Sequence, residues 1–474
     1  MREYNSDHYI IGLDLGNDSS GIAFFNLAEN APESIDLSGG YGKQTMPTVV
    51  QYIPGTREWV FGEYAVLNQG EGITYANLIA RLGYFEEKTA SVLALFIKEI
   101  LGNVRNINPR AEIVGIVASI PTYFNAEAKK ELTHAFDLAG FGNTLLALVP
   151  DRECVLAHYF YANESAGGTL LLDFGASEVR GGVYQRDSDT IHAVSSVFTG
   201  DVCMNKINSA VTDFFAELAP GLDKNQTEHI AAFAHQHRDM LFQKNIRTKP
   251  LKFYFNFTHP PVQATVTNTQ VQEFLQPYQK AFGKFLEDTL QKSTQPISMS
   301  DIGHVLCTGG GFEMLWARDA VSKMFGSVQF YKNPKMVSCE GAAIVAARLL
   351  GLPVGKSLAI KDPHQLNYDV GLLDGKNFLP LVERSSFWWQ EHPVKLVLVN
   401  HAVDGELELS FCKDKSNVGT MLLTGLPKRP KGTTRLQISV AFSSINKAII
   451  TIQDIGFGEL FPSSGINLSH EVLI

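Results

Sequence analysis

The sequence predicts an α/β fold in two parts: a two-lobed domain over residues 1–352, then, after a linker at 353–367, an all-β sandwich domain over 368–474. Three observations predict it. An Asp-x-Gly turn closes an apolar strand at Asp14 and again at Asp173. A third glycine turn, Gly309-Gly310-Gly311, separates a strand from a helix. After about Leu350 helical patterns stop and alternating strands take over.

Tyr9–Leu13 is an apolar run ending in Asp14-Leu15-Gly16, and Gly21–Leu27 resumes as a second strand. Val114–Ser119 reads as a buried strand leading through Pro121 into a helix over Asn125–Ala139. Leu145–Val149 is another strand, followed by a helix over Arg152–Ala162. Repeated strand-then-helix units imply a sheet with helices on its faces. The opening then recurs: Thr169–Leu172 ends in Asp173-Phe174-Gly175, and Gly181–Gln185 follows as a strand. Two copies suggest two related lobes rather than a solenoid. His304–Cys307 precedes the triple glycine, a helix follows over Glu313–Met324, and Asn333-Pro334 opens a last helix. Its small residues, Gly341-Ala342-Ala343, allow close packing. The lobes are expected at about 8–165 plus 333–352, and about 166–332. In the β domain Glu406–Phe411, Arg435–Ala441 and Ala448–Ile452 alternate strictly, punctuated at Gly425-Leu426-Pro427 and Lys428-Arg429-Pro430.

The formal net charge of −9 argues against nucleic-acid backbone binding; Lys428, Arg429 and Lys431 form only a short basic cluster. Five scattered cysteines with no C-x-x-C spacing point away from a disulfide framework or zinc site and fit a reducing compartment. The polar start and the lack of any apolar run of about 20 residues predict no membrane span and a cytoplasmic protein.

Glycines at strand ends let a backbone approach phosphates, and carboxylates on two facing strands suit a hydrated Mg²⁺ beside them. Ordinary turn chemistry accounts for any single Asp-x-Gly as well. Neither a dinucleotide fingerprint nor a P-loop is present.

Ile10-Ile11-Gly12-Leu13-Asp14-Leu15-Gly16, Leu172-Asp173-Phe174-Gly175, Thr308-Gly309-Gly310, and Asn333-Pro334 with Gly341-Ala342-Ala343 together resemble the actin-like (ribonuclease H-like) ATPase of the 70-kDa heat-shock (DnaK-type) chaperones. Phe378-Leu379-Pro380-Leu381-Val382-Glu383-Arg384 and Leu423-Thr424-Gly425-Leu426-Pro427 resemble that family's peptide-binding domain. The likeness runs over roughly residues 8–474. It implies ATP or ADP with Mg²⁺ between the lobes and extended peptide in the β domain, with co-chaperones as further partners. It also implies Asp14, Asp151 and Asp173 as catalytic groups, Asp14 and Asp173 holding the metal through water. Gly16, Asn17, Asp18, Gly175, Ala176, Ser177, Gly309, Gly310, Gly311 and Phe312 are the implied nucleotide contacts, with Phe312 either stacking on the base or packing in the core. The apolar cleft falls to Leu372, Val399, Ala402, Leu407 and Leu409, of which Leu407 and Leu409 fit a sandwich core equally well. The chain ends right after its last strand, so the resemblance implies a member without the family's helical lid.

Several positions depart from the family pattern. Asn17 and Asp18 stand where threonines are expected, Ala176-Ser177-Glu178 replace a Gly-Gly-Thr stretch, and Arg180 replaces an acid. Arg81 is the nearest match to the catalytic lysine, and Asp151 is one methylene shorter than the expected glutamate. Trp388-Trp389 read as either an exposed anchor or core, and His235 and His237 as satisfied histidines. Leu358-Ala359-Ile360 is a short apolar patch suited to docking on the first domain. These departures predict weak nucleotide binding with slow or no hydrolysis. The other readings are a non-catalytic interaction protein or co-chaperone on the same scaffold, and a small-molecule kinase of the actin-like group.

Overall fold

The apolar run after His8 is unbroken because both faces of its strand are covered. His8–Asp14 is buried from Tyr9 to Leu13, paired antiparallel with Ser19–Asn26 and parallel with Glu112–Ile120. The chain is described from a computed structural model. It covers residues 4–38, 43–67, 72–83, 88–163, 167–219, 224–242, 249–258, 260–291, 297–326, 328–355, 359–374, 377–384, 386–388, 392, 394–414 and 416–474. It divides into two units, Met1–Lys361 and Asp362–Ile474.

The two largest sheets of the first unit share one topology. The first runs Ala31–Ser34, Ser19–Asn26, His8–Asp14, Glu112–Ile120, Leu145–Pro150; the second runs Thr190–Ala193, Val179–Asp187, Gly168–Phe174, Ile302–Thr308, Gln329–Phe330. In both, the first three strands pair antiparallel and the last three parallel. The Asp14 and Asp173 strands are therefore the central strands of two related sheets.

Two helices are exchanged between the sheets. Asp151–Ala162 follows the first sheet, yet its Val155, Leu156, Tyr159 and Phe160 pack with Leu171, Tyr184 and Leu306 of the second. Val337–Leu349 follows the second sheet, and its Cys339, Ala342 and Ala343 pack with Ile10, Ala23 and Val117 of the first. Glycine makes both approaches possible. A Cβ on Gly12 would lie 2.0 Å from the Cys339 carbonyl oxygen, and one on Gly341 would lie 1.8 Å from that of Cys154. The helix Asp151–Ala162 is shared between the sheets: its Cys154 packs with Ile10 and Val117 of the first. The second lobe's core is dense in aromatic rings, with Phe174, Phe215, Phe253, Phe255, Phe282 and Phe312 all fully buried.

The expected linker is mostly ordered structure. Val354 is buried, and Ala359–Lys361 adds a parallel strand to Thr190–Ala193. Of the patch expected to dock, Ile360 packs against the second sheet's core, while Leu358 lies outside the described residues.

The second unit is a sandwich of two antiparallel sheets. One runs Asn377–Val382, Val370–Asp374, Val403–Lys413, Ser416–Arg429; the other runs Lys395–Leu398, Arg435–Ser444, Lys447–Asp454, Asn467–Leu473. The turn expected at Gly425–Pro427 lies inside a long strand instead. Gly425 (φ +81°) and Gly405 (φ +84°), which faces Leu426, absorb a shift of register there without ending the pairing. Of the basic cluster, only Lys428 and Lys431 are exposed. Arg429 is buried, with Nη1 and Nη2 donating to the two carboxylate oxygens of buried Asp454 at 2.8 and 2.9 Å. Among the described residues no helix is long and apolar enough to cross a membrane.

Candidate functional site

Each Asp-x-Gly turn is built the same way. A Cβ on Gly16 would sit 2.3 Å from the Ser19 carbonyl oxygen, and one on Gly175 would sit 3.0 Å from that of Glu178. The glycines thus let each hairpin fold back on itself. The two turns meet across the groove: Asn17 Nδ2 donates to Ser177 Oγ at 3.2 Å, while Asn17 Oδ1 accepts from the Ala80 amide at 3.1 Å. On the second turn the Gly175 and Ala176 carbonyls accept from Met204 N and Asn205 N, at 3.1 and 2.8 Å, so this turn also caps the helix Met204–Leu218.

The third turn completes the rim. Gly309, at φ +89°, lies directly under Asp173: a Cβ there would be 2.4 Å from Asp173 Oδ1. A Cβ on Gly310 would lie 3.7 Å from Lys335 Nζ. Gly311 is pressed against the Phe174 ring, 2.2 Å from where its Cβ would be. Phe312 then turns inward. It is fully buried, edge-on to Phe174 at 6.0 Å and to Phe282 at 6.1 Å. That corrects its assignment as a nucleotide contact, since neither ring face is open to a base. Trp316 joins the same cluster, edge-on to Phe174 at 6.0 Å.

Asp14 and Asp173 share one electrostatic environment. Burial, then the charge of Asp151, raises Asp14 to about 6, with Lys335, Ser119 and Ser338 pulling the other way. Burial, then Asp151, raises Asp173 to about 8; Arg180 opposes the rise, while Asp14 and Glu178 add to it. Asp151 opens the helix Asp151–Ala162 and is fully engaged. Its Oδ1 accepts from Thr122 Oγ1 at 2.6 Å and from Arg152 N at 2.7 Å, and its Oδ2 accepts from Arg180 Nη1 at 2.9 Å. Arg180 Nε donates to Glu178, and its guanidinium lies over the Tyr123 ring at 5.3 Å. Burial would lower the Arg180 pKa, but Asp151, Glu178 and Asp173 outweigh it and raise it.

Lys335 and Arg238, which the sequence had not singled out, lie with His235 near Asp18. Lys335 Nζ donates to Ser19 Oγ and lies 3.6 Å from Asp18 Oδ2. Burial would raise Asp18, but Lys335, Arg238 and His235 outweigh it and hold that carboxyl below its usual range. His235 faces Glu63 at 3.1 Å, and Lys43 joins the same carboxylate at 2.6 Å. The hydrogen bond from His235, ahead of that from Lys43, lowers Glu63 to about 2. His237 is satisfied, stacked on Phe233 at 4.0 Å, with Nδ1 2.9 Å from that residue's carbonyl oxygen. Arg238 Nη1 donates to Asn208 Oδ1 at 2.9 Å.

Leu372, Val399 and Leu407 are buried in the sandwich core and Leu409 packs against it, facing Met421 across the strand pair; Ala402 is exposed in a loop. Inward residues of alternating strands make the core first, and these positions are taken by it. Trp388 packs against the same core; Trp389 lies outside the described residues. All five cysteines are buried thiols.

Residues 366–474 match a family described as a domain of unknown function (DUF8552). Among curated proteins, the chain is 22% identical to the chaperone protein DnaK of Thermosipho africanus, over 96% of this chain and 79% of that one. It is also 22% identical to DnaK of Picrophilus torridus, over 95% and 76%. A chaperone protein HscA homolog of Delftia acidovorans matches at 22% identity, over 90% and 73%.

Proposed function

Because the chain is a divergent member of the 70-kDa heat-shock chaperone family, we propose that it is a chaperone-like protein whose two-lobed unit binds adenine nucleotide weakly and hydrolyses it slowly or not at all. What supports this reading is that Asp14 and Asp173, at the ends of the two central strands, feel each other's charge beside the turns at Gly16, Gly175 and Gly309. Lys335, over Gly310 and near Asp18, is the group best placed to attract a phosphate. Slow chemistry is supported by how the charged groups are spent. Asp151 and Arg180 are tied to each other, and Asp14 and Asp173 are held toward their protonated forms. Isothermal titration with ATP and with ADP, alongside a phosphate-release assay, tests it. No binding of either nucleotide sinks the nucleotide part; turnover at rates ordinary for an efficient ATPase sinks the slow-hydrolysis part.

Mg²⁺ fits these residues poorly. Among the described residues no three His, Cys, Asp or Glu side chains gather as ligands, and the carboxylates of the groove already face Arg180 and Lys335.

For the β unit, extended peptide is best accommodated at a sheet edge rather than in the core. Lys395–Leu398 ends its sheet, and Leu396 and Leu398 point outward, 64% and 43% exposed. A strand added there gains main-chain hydrogen bonds and an apolar row. Fluorescence anisotropy with a labelled apolar peptide, repeated on Leu396→Glu, tests it; equal binding by both proteins places the peptide elsewhere. The kinship favours this reading over a non-catalytic partner protein or a small-molecule kinase.

A further inference from the structure

The two hairpins agree in topology but differ at one position that matters. In the first, the residue directly across from Asp14 is Gly21; in the second, the residue directly across from Asp173 is Arg180. Side chains directly opposite on paired strands lie on the same face, so Arg180 projects beside Asp173 into the groove. It is held there from several sides: Nη1 on Asp151 Oδ2 at 2.9 Å, Nε on Glu178, and the guanidinium plane over Tyr123. Asp151 is itself fixed by Thr122 and the Arg152 amide. The guanidinium therefore pairs with two carboxylates, from a helix start and a turn, and feels the charge of a third, Asp173, at a strand end.

We propose that Arg180 takes the place of a divalent metal in this groove, as a built-in positive charge that makes the site metal-independent. The proposal rests on reading the groove as a nucleotide site, but its core can be tested with metal alone. A divalent ion near Asp173 would meet the fixed guanidinium and would have to break its pairs with Asp151 and Glu178. Without the guanidinium, Asp151 and Glu178 lose their countercharge and a hard cation no longer competes with it.

The probe is Mn²⁺ alone, titrated into the full chain and followed by electron paramagnetic resonance, with thermal melts as a second readout. The wild type is expected to show no site tighter than about millimolar and no melting shift. Arg180→Gln is expected to bind Mn²⁺ at least about ten-fold tighter than wild type and to melt higher with it. A wild-type site tighter than about 0.1 mM overturns the proposal, as does a folded Arg180→Gln that gains none. Should Arg180→Gln not fold, Arg180→Lys keeps the charge. It is expected to stay blind to Mn²⁺; its binding Mn²⁺ at that same affinity overturns the proposal. ADP titrations in Mg²⁺ and in EDTA separate the two readings. Absence of ADP binding in both removes the nucleotide function and leaves the Mn²⁺ result standing. ADP binding that weakens ten-fold or more in EDTA overturns metal independence.

Discussion

Replacing Arg429 by Met should be among the most damaging single changes in the β unit. Arg429 is on one sheet, at the end of Ser416–Arg429, and its partner Asp454 is on the other, at the end of Lys447–Asp454. The pair is bidentate and both residues are buried, and Asp454 also accepts from Gly456 N at 3.1 Å and Ser464 N at 2.7 Å. Burial would raise the Asp454 pKa, yet Arg429 and Ser464 outweigh it and hold the carboxyl well below its usual range. Met would fill much of the volume and leave a carboxylate without its countercharge, at a cost of about 3–5 kcal/mol. A domain of this size commonly has about 5–15 kcal/mol in total, so a fifth or more would go. Removing both charges, Arg429→Met with Asp454→Leu, should cost less than the two single changes together. It still leaves two amides unpaired, each worth about 1–3 kcal/mol. Hydrogen exchange along Arg435–Asp454 in increasing urea, on the full chain, reads the local stability. A loss under about 1 kcal/mol for Arg429→Met would show that water reaches Asp454 and that the pair does not organise the sandwich.

His392 gives the β unit a pH dependence. It is buried against Phe442, and burial lowers its pKa to about 4. The folded unit therefore holds fewer protons than the unfolded chain between that value and about 6.5. Stability is complete above about 6.5 and falls by up to about 3 kcal/mol as pH drops toward 4. Thermal melts across this range should show the loss, and His392→Phe should flatten it; an unchanged slope refutes the assignment. Gly341→Ala places a methyl on the Cys154 carbonyl, which is backbone and has nowhere to go. A loss of about 3 kcal/mol or more is expected by urea denaturation, and a neutral change would mean that the two helices slide apart readily. Phe312→Leu should cost about 1 kcal/mol and leave any preference for adenine over guanine nucleotides unchanged; a lost preference would return that ring to the groove.

The central strands and turns were legible because their signals are local. A buried strand closing in Asp-x-Gly needs only its neighbours in sequence, and its repetition at Asp173 foretold the paired sheets. The parts that were misread depend on direction or on distance. An aromatic after three glycines looks the same whether it points out, toward a ligand, or in, as Phe312 does. Alternation at Leu407 and Leu409 states that one face is buried but not whether the burying partner is the sandwich or a peptide. Arg429 reads as surface charge beside Lys428 until Asp454 arrives from the other sheet. Lys335 carries no motif of its own. Its importance comes from Asp18 and Ser19, brought to it from the far end of the chain.

The ring cluster behind the second turn has a practical consequence. Trp316 is one of only four tryptophans, and it touches Phe174, the neighbour in sequence of Asp173. Its emission is thus a native optical reporter placed one residue behind the groove. Any ion or anion that draws Asp173 or loosens the Gly309 turn will disturb the packing of that indole, so occupancy can be followed in the unlabelled protein by a change in blue-shifted fluorescence.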